Sequence, residues 1–500
     1  MRSLLQKGCF TRSSFTTLVA RAVVILAVCL FAGCKEDTIS TDAALTLRFS
    51  CDSLAFDTIF TAQGTATQQV MVYNPNDNAV ALDRVWLDGS PETGRSYFSI
   101  NLDGENNPTY MSAIEVRGHD SLYLFVKANI DPLDSNTPLL IEDQLHILVN
   151  GNTATLKLSA IGWDVTRLRT PKRLSEYDTY SFTADRPYLI FDTVLITDEL
   201  SLLPGARLFM HSGSAIICTG SIEAEGDRDA PITIQGDRLD RLFDSVPYAY
   251  AAGQWGGIYC LTPESKAPTY SLDYVNILSG NIGLYIQHPT GGPKPQLRLT
   301  NSRIHNHSLY GIVLINADAE VINTEISNAA QYCVFLAGGE HRFLHSTIAS
   351  FFNYTNIRIQ SVPRQSVPAV YIDSVSADAG ASVSSFTNCI IDGLEPTNLY
   401  IAGLDTANYA GSVHHCYLHS DTLHADWAYD NVYYRADTSA VFKQNFYRYK
   451  EYIYYNFSLD SLSPARGIAD PEAVVVPYDY DRRGIYRLPV PDAGCYQYRE

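Results

Sequence analysis

The chain has 500 residues, with 36 Lys and Arg against 54 Asp and Glu and a formal net charge of −18. Such a surface repels nucleic-acid phosphates and anionic lipid headgroups, so neither is an expected partner. Of the ten cysteines, the seven beyond Cys34 (Cys51, Cys218, Cys260, Cys333, Cys389, Cys416 and Cys495) are scattered, odd in number and without CxxC pairs, which argues against a disulfide framework or a zinc site.

Residues 1–33 read as a secretion signal. Arg2, Lys7, Arg12 and Arg21 precede an apolar run from Ala22 to Leu30, and Ala32-Gly33 supply the small residues of a cleavage site. That run is too short for a retained membrane span. Phe31-Ala32-Gly33-Cys34 resembles a bacterial lipobox, with Phe31 at a position usually held by Leu. The resemblance makes Cys34 the acylated N-terminus and the membrane a partner through its lipid. Lys35-Glu36-Asp37 resembles the export tag of Bacteroidota surface lipoproteins, which implies an outer-membrane protein facing the cell exterior. Residues 34–44 then form a tether. Loss of the signal leaves 32 basic against 54 acidic residues, a charge near −22.

Residues 45–165 carry short alternating strands, among them Gln69 to Tyr73, Ser121 to Val126, Leu145 to Val149 and Thr153 to Ala160. Asn74-Pro75-Asn76-Asp77-Asn78 and Asn150-Gly151-Asn152 are turn clusters, the second a hairpin signal. This spacing predicts an immunoglobulin-like β-sandwich. Pro171 to Asp185 reads as a polar connection.

From 166 to 426 the pattern changes to a repeat. Asn301-Ser302-Arg303-Ile304, Asn323-Thr324-Glu325-Ile326 and His345-Ser346-Thr347-Ile348 follow one another every 22 residues. The pattern returns at Asn388-Cys389-Ile390-Ile391 and His415-Cys416-Tyr417-Leu418. Twenty-two residues are too many for one strand and suit a closed coil of two or three, the signature of a solenoid. The expected fold is all-β, with a parallel β-helix as its larger part. Ser302, Thr324 and Ser346 would point inward with the isoleucines, and Cys389 and Cys416 would fill the same row. Asn301, Asn323 and Asn388 would stack at a corner, each amide donating to the next, with His345 and His415 in the same row. Asp237 to Ala252 reads as an insertion, and Trp255 as a packing residue beside it. The 43 residues from His345 to Asn388 leave room for a protruding loop within Asn353 to Gly380, where Pro363 and Pro368 oppose regular pairing.

Residues 427–500 are expected to cap the coil. Aromatics crowd Trp427 to Phe457, and they suit either a plug over the open end or a platform for sugar rings. The order of parts resembles a group of Bacteroidota lipoproteins that join an immunoglobulin-like domain to a right-handed, pectate-lyase-like β-helix. The residues that carry the likeness are Pro204-Gly205, Gln254 to Tyr259, the Asn/His repeat, and the end from Arg482 to Tyr496, which looks like a choice-of-anchor C-terminus with Cys495 in place of the usual Ala. Right-handedness also follows from the general preference of parallel crossovers. The likeness implies fold and location, not an activity.

Chemistry is sparsely written. Asp373, Asp378, Asp392 and Glu395 flank the long loop and are the candidate acids for a lyase or a glycosidase, although no tight Asp-Asp pair stands in the repeats. His305 and His307 would share a strand face with no third ligand nearby, so no metal and no cofactor is called for. Two functions stay open: a non-catalytic surface protein that binds a polysaccharide or a partner protein, and a polysaccharide lyase or glycoside hydrolase on the same groove.

Overall fold

A computed structural model describes residues 38–499 except 66, 91–93, 107–113, 171–173, 244–245, 249–250, 353–366, 374–380, 403–408, 436–440 and 445–454. Cys34, Lys35, Glu36, Asp37 and Asp378 lie outside the described residues. The chain divides into two compact units. One comprises the residues through Phe56 with Gly64–Asn129 and Ile141–Ala160, and the other comprises the rest.

The first unit is built on two antiparallel sheets. One orders Arg48–Phe49, Gln68–Tyr73, Ser121–Ala128, Phe98–Leu102 and Glu105–Asn106; the other orders Ser53–Phe60, Asn152–Trp163, Leu139–Val149 and Arg84–Leu87. Alternation decides which side is buried: Leu145, Ile147 and Val149 are inside, as are Leu156, Leu158 and Ala160. Asn150 and Gly151 hold φ of 49° and 83°, the double left-handed conformation of a tight hairpin turn.

The second unit is a parallel β-helix-like coil with sheets of 17 and 11 strands. A single turn of it is Tyr310–Ile315 and Asp318–Ile322 in the larger sheet, then Glu325–Ala329 in the smaller. The pairings Ile312 with Val334, Val321 with Phe343 and Ile326 with Ile348 each advance 22 residues, so the sequence period is one turn of the coil. Ile277, Ile304, Ile326, Ile348, Ile391 and Leu418 face each other in register along the core, all essentially inaccessible. Replacing Ile326 by Ala removes buried carbon from both neighbouring rungs. The expected loss is about 2–5 kcal/mol, read from urea unfolding followed by far-UV circular dichroism.

The asparagine row has a backbone cause. Tyr274, Asn301, Asn323, His345, Asn388, His415 and Asn431 all have φ between 48° and 54°, one left-handed residue per turn of the coil. Asparagine tolerates that region better than most residues, which explains its recurrence. The expected continuous amide ladder is broken: Asn323 donates to Asn301 Oδ1 at 2.6 Å and Asn431 Nδ2 lies 3.0 Å from His415 Nε2, whereas Asn301 donates to Asp273 and Asn388 exchanges bonds with the backbone of Asp470. The residue after the corner makes the longer ladder. Oγ of Ser302 accepts from the Val275 amide, Thr324 from Ser302, Ser346 from Thr324, and Sγ of Cys416 from Cys389. Cys389 and Cys416 are thus hydrogen-bonding members of the row as well as fillers.

Other expectations are corrected. Leu174–Phe182, read as a polar connection, is a nine-residue strand paired with Thr193–Leu202. Tyr177, Tyr180, Phe182 and Tyr188 pack ring on ring there, and that contact outweighs the polar composition. Asn306 is left-handed (φ 64°) between His305 and His307, so the two histidines lose the alternation that would place them on one face. Within the stretch from Asn353 to Gly380 expected to contain a loop, Val370–Asp373 is a strand of the larger sheet, and residues 353–366 and 374–380 lie outside the described residues. Among the described residues, 455–499 lie along the flank of the coil and not over its end: Arg482 donates to Asn301 O, Arg487 to Asn323 Oδ1, and the Cys495 amide to Thr347 Oγ1. Trp427, stacked near Phe386 and Tyr409, belongs to the last rungs of the core.

Candidate functional site

The larger sheet presents one column of aromatic side chains on its outer face. Register places Tyr259, Tyr285, Val313, Phe335, Tyr371 and Tyr400 on successive turns. Their neighbours Leu284, Ile286, Leu336 and Ile372 are fully buried, so alternation turns the rings outward. Tyr310 and Tyr332 widen the column beside the gap at Val313. Tyr332 stacks on Tyr371 at 4.5 Å, Phe335 on Tyr371 at 5.6 Å and Tyr371 on Tyr400 at 5.5 Å, with interplanar angles of 21°, 7° and 29°. Tyr310 bridges toward Phe335 at 6.4 Å, and Tyr259 and Tyr285 meet at 5.8 Å. Five steps of about 4.8 Å give a strip roughly 24 Å long. Tyr400 is 48% exposed, and the remaining rings are partly exposed. Burial, reinforced by Tyr371 and Tyr310, raises the Tyr332 hydroxyl, and burial likewise raises Tyr259, Tyr285 and Tyr310. These four hydroxyls are therefore uncharged at neutral pH.

Two residues further along the same strands, Leu261, Gln287 and Ile315 form the adjoining column. They border an open groove of about 810 Å³ that also touches Thr262, His288 and Asn316. Tyr285 donates its hydroxyl to Gln287 Oε1 at 2.8 Å, which ties the strip to the groove. The Asn316 amide donates to His288 O at 3.1 Å and sets the turn behind it. No Asp, Glu, Lys or Arg is among the residues lining the groove.

The described candidate acids Asp373 and Asp392 lie on different sheets. Asp373 ends a strand of the larger sheet, two residues after Tyr371, whereas Asp392 belongs to the smaller sheet. Asp392 is buried, with His419 Nδ1 3.0 Å from its Oδ1; burial raises its carboxyl and His419 opposes that rise. Glu395 follows in the next turn, its backbone carbonyl accepting from Asn398. Among the described residues, no three His, Cys, Asp or Glu side chains are placed to hold a metal ion.

One charged cluster escaped the sequence reading. Glu325 is buried on the outer side of the smaller sheet, beneath the C-terminal segment. It accepts from Arg303 Nε at 2.9 Å, from Ser327 Oγ at 2.7 Å and from the Tyr496 hydroxyl. Burial alone would raise its carboxyl; Arg303, His305, Ser327 and Tyr496 together hold it down, at about 2. The cluster is packed under Phe457 and Tyr496 and holds the segment to the coil.

The missed signal for the aromatic column was the 22-residue interval between Tyr310 and Tyr332, equal to the asparagine interval. No family model matches the chain, and no match to it was found among curated proteins. Solved structures with local similarity include a family 123 glycoside hydrolase from Clostridium perfringens, at 7% identity, 26% of this chain, 31% of that chain and a TM-score of 0.19. The periplasmic chaperone SfaE gives 14% identity, 28% and 66% coverage and a TM-score of 0.17. The Pseudomonas fluorescens alkylpurine DNA glycosylase AlkC, bound to DNA containing an abasic site analog, gives 13%, 23%, 31% and 0.14. The chain spans 31% of the first and third of these proteins and 66% of the second. With TM-scores this low, none bears on fold or function.

Proposed function

We propose that the protein is a lipid-anchored, surface-exposed outer-membrane protein that binds a polysaccharide without cleaving it. In this reading Cys34 carries the lipid and Lys35-Glu36-Asp37 direct export. The first unit is an immunoglobulin-like spacer, and the coil is a right-handed, pectate-lyase-like scaffold of the kind joined to it in Bacteroidota lipoproteins. The supporting observation is the aromatic strip from Tyr259 to Tyr400. Flat apolar rings with hydrogen-bonding tips, repeated along a stiff sheet, match the alternating faces and hydroxyl edges of a linear glycan. A lyase or hydrolase on the same face is the alternative, and it needs a base or a carboxylate pair beside the strip. Asp373 is the nearest of the candidate acids along the strand.

The test is a glycan array probed with the full-length protein in detergent, followed by product analysis. Binding without new reducing or unsaturated ends is the expected result, and cleavage overturns the reading. Tyr332→Ala with Tyr371→Ala is expected to weaken binding at least tenfold, since each stacked ring contributes about 0.5–1.5 kcal/mol beyond its area.

A further inference from the structure

We infer that the ligand is an uncharged polysaccharide, with sugar rings lying on the aromatic strip and hydroxyl groups entering the groove beside Gln287. This rests on the glycan-binding reading above and assigns the class of glycan. The strip and the groove are two columns of the same outer face: Tyr259, Tyr285 and Val313 stand two residues before Leu261, Gln287 and Ile315 on the same three strands. A polymer running along the rings therefore has the groove at its edge over three turns of the coil.

The polar lining consists of the Gln287 and Asn316 amides, Thr219, Thr262, Thr290 and His288, whose ring nitrogens lie 2.7 Å from Pro289 O and 3.2 Å from Lys266 O, with no Asp, Glu, Lys or Arg among them. Such neutral donors and acceptors fit sugar hydroxyls. A carboxylate or sulfate there would find no guanidinium or ammonium among the lining side chains to offset its charge. Lys294 and Arg342 are engaged: Lys294 lies 3.7 Å from Asp318, and Arg342 donates to Glu320 at 2.9 Å. The rim loop holds one acid and one base, Glu264 and Lys266, and the chain as a whole carries −18. The negative charge of the chain as a whole repels a polyuronate, whereas a neutral polymer meets no such repulsion. Gln287 has the central place in this recognition. Its Oε1 accepts from Tyr285, an arrangement that orients the amide and leaves its N–H groups to donate to a hydroxyl of the ligand.

The experiment is affinity electrophoresis of the full-length protein in detergent through gels containing mixed-linkage β-glucan, xylan, mannan or polygalacturonate, at low and high salt. Retardation is expected in at least one neutral polymer, to the same degree at both salts, and is expected to be absent in polygalacturonate. Gln287→Ala, a change at an exposed position, is expected to weaken it about three- to tenfold while leaving thermal unfolding unchanged. Equal or stronger retardation by polygalacturonate, fading at high salt, overturns the neutral class; if Tyr332→Ala with Tyr371→Ala still abolishes it, glycan binding itself stands. Unchanged binding by Gln287→Ala also overturns the assignment. No retardation by any of the four polymers sinks both readings together.

Discussion

Replacing Glu325 by Ala is expected to lower the unfolding free energy by about 3 kcal/mol or more, because it strands partners assembled around a buried carboxylate. Arg303, Ser327 and the Tyr496 hydroxyl all donate to this one group, and Tyr496 is 171 residues away in sequence. The substitution therefore loosens the C-terminal segment as well as the rung. Urea unfolding of the variant measures the total loss, and limited proteolysis reports whether the region after residue 455 is released first. A double cycle with Tyr496→Phe isolates the coupling across the segment. An unchanged urea midpoint in Glu325→Ala would refute the account. The pH dependence has a definite sign. Because the folded carboxyl sits at about 2, below its ordinary 4.5, its contribution is complete above pH 4.5 and is lost as pH falls toward 2.

Acid destabilisation should begin well above that range, from buried histidines. Burial lowers His307 and His341 to about 4 and takes His305 and His345 well below their ordinary value. Their surroundings modulate this: Arg303, Glu325 and His307 face His305, Asp318 and Lys294 face His341, and Arg487 faces His345. Between pH 6.5 and about 4 the unfolded chain binds protons that the native coil excludes, so stability falls as pH falls. At pH 5 each such histidine costs about 2 kcal/mol, so His307 and His341 alone cost about 4, with His305 and His345 adding in the same direction. Asp392, raised by burial, acts in the opposite sense. The urea midpoint at pH 7 and pH 5 checks the prediction. His341→Gln should reduce the proton uptake on unfolding by about one at pH 5, and a midpoint independent of pH over this interval would exclude the mechanism.

Much of the coil was legible because its backbone imposes a residue choice. A left-handed corner on every turn selects asparagine, and the inward row beside it selects small hydrogen-bonding side chains and isoleucine. A second left-handed row, Ser279, Asn306 and Asn328, was equally open to reading from Asn301/Asn306 and Asn323/Asn328, each five apart. The flanking acids read less well: Asp373 and Asp392, 19 residues apart, fall on different sheets.

Local spacing by itself determined that the chain is all-β, that much of it coils in parallel with a 22-residue period, and that isoleucines stack along the axis. Only the tertiary structure decided which rings share a face. Tyr259, Tyr285, Phe335, Tyr371 and Tyr400 are separated by unequal stretches of sequence, because the connections between strands differ in length. Strand pairing removes those differences, since every turn advances the axis by one inter-strand distance whatever its loops contain. The same holds for Glu325 and Tyr496, whose contact is written in no interval and arises when the end of the chain folds back along the coil.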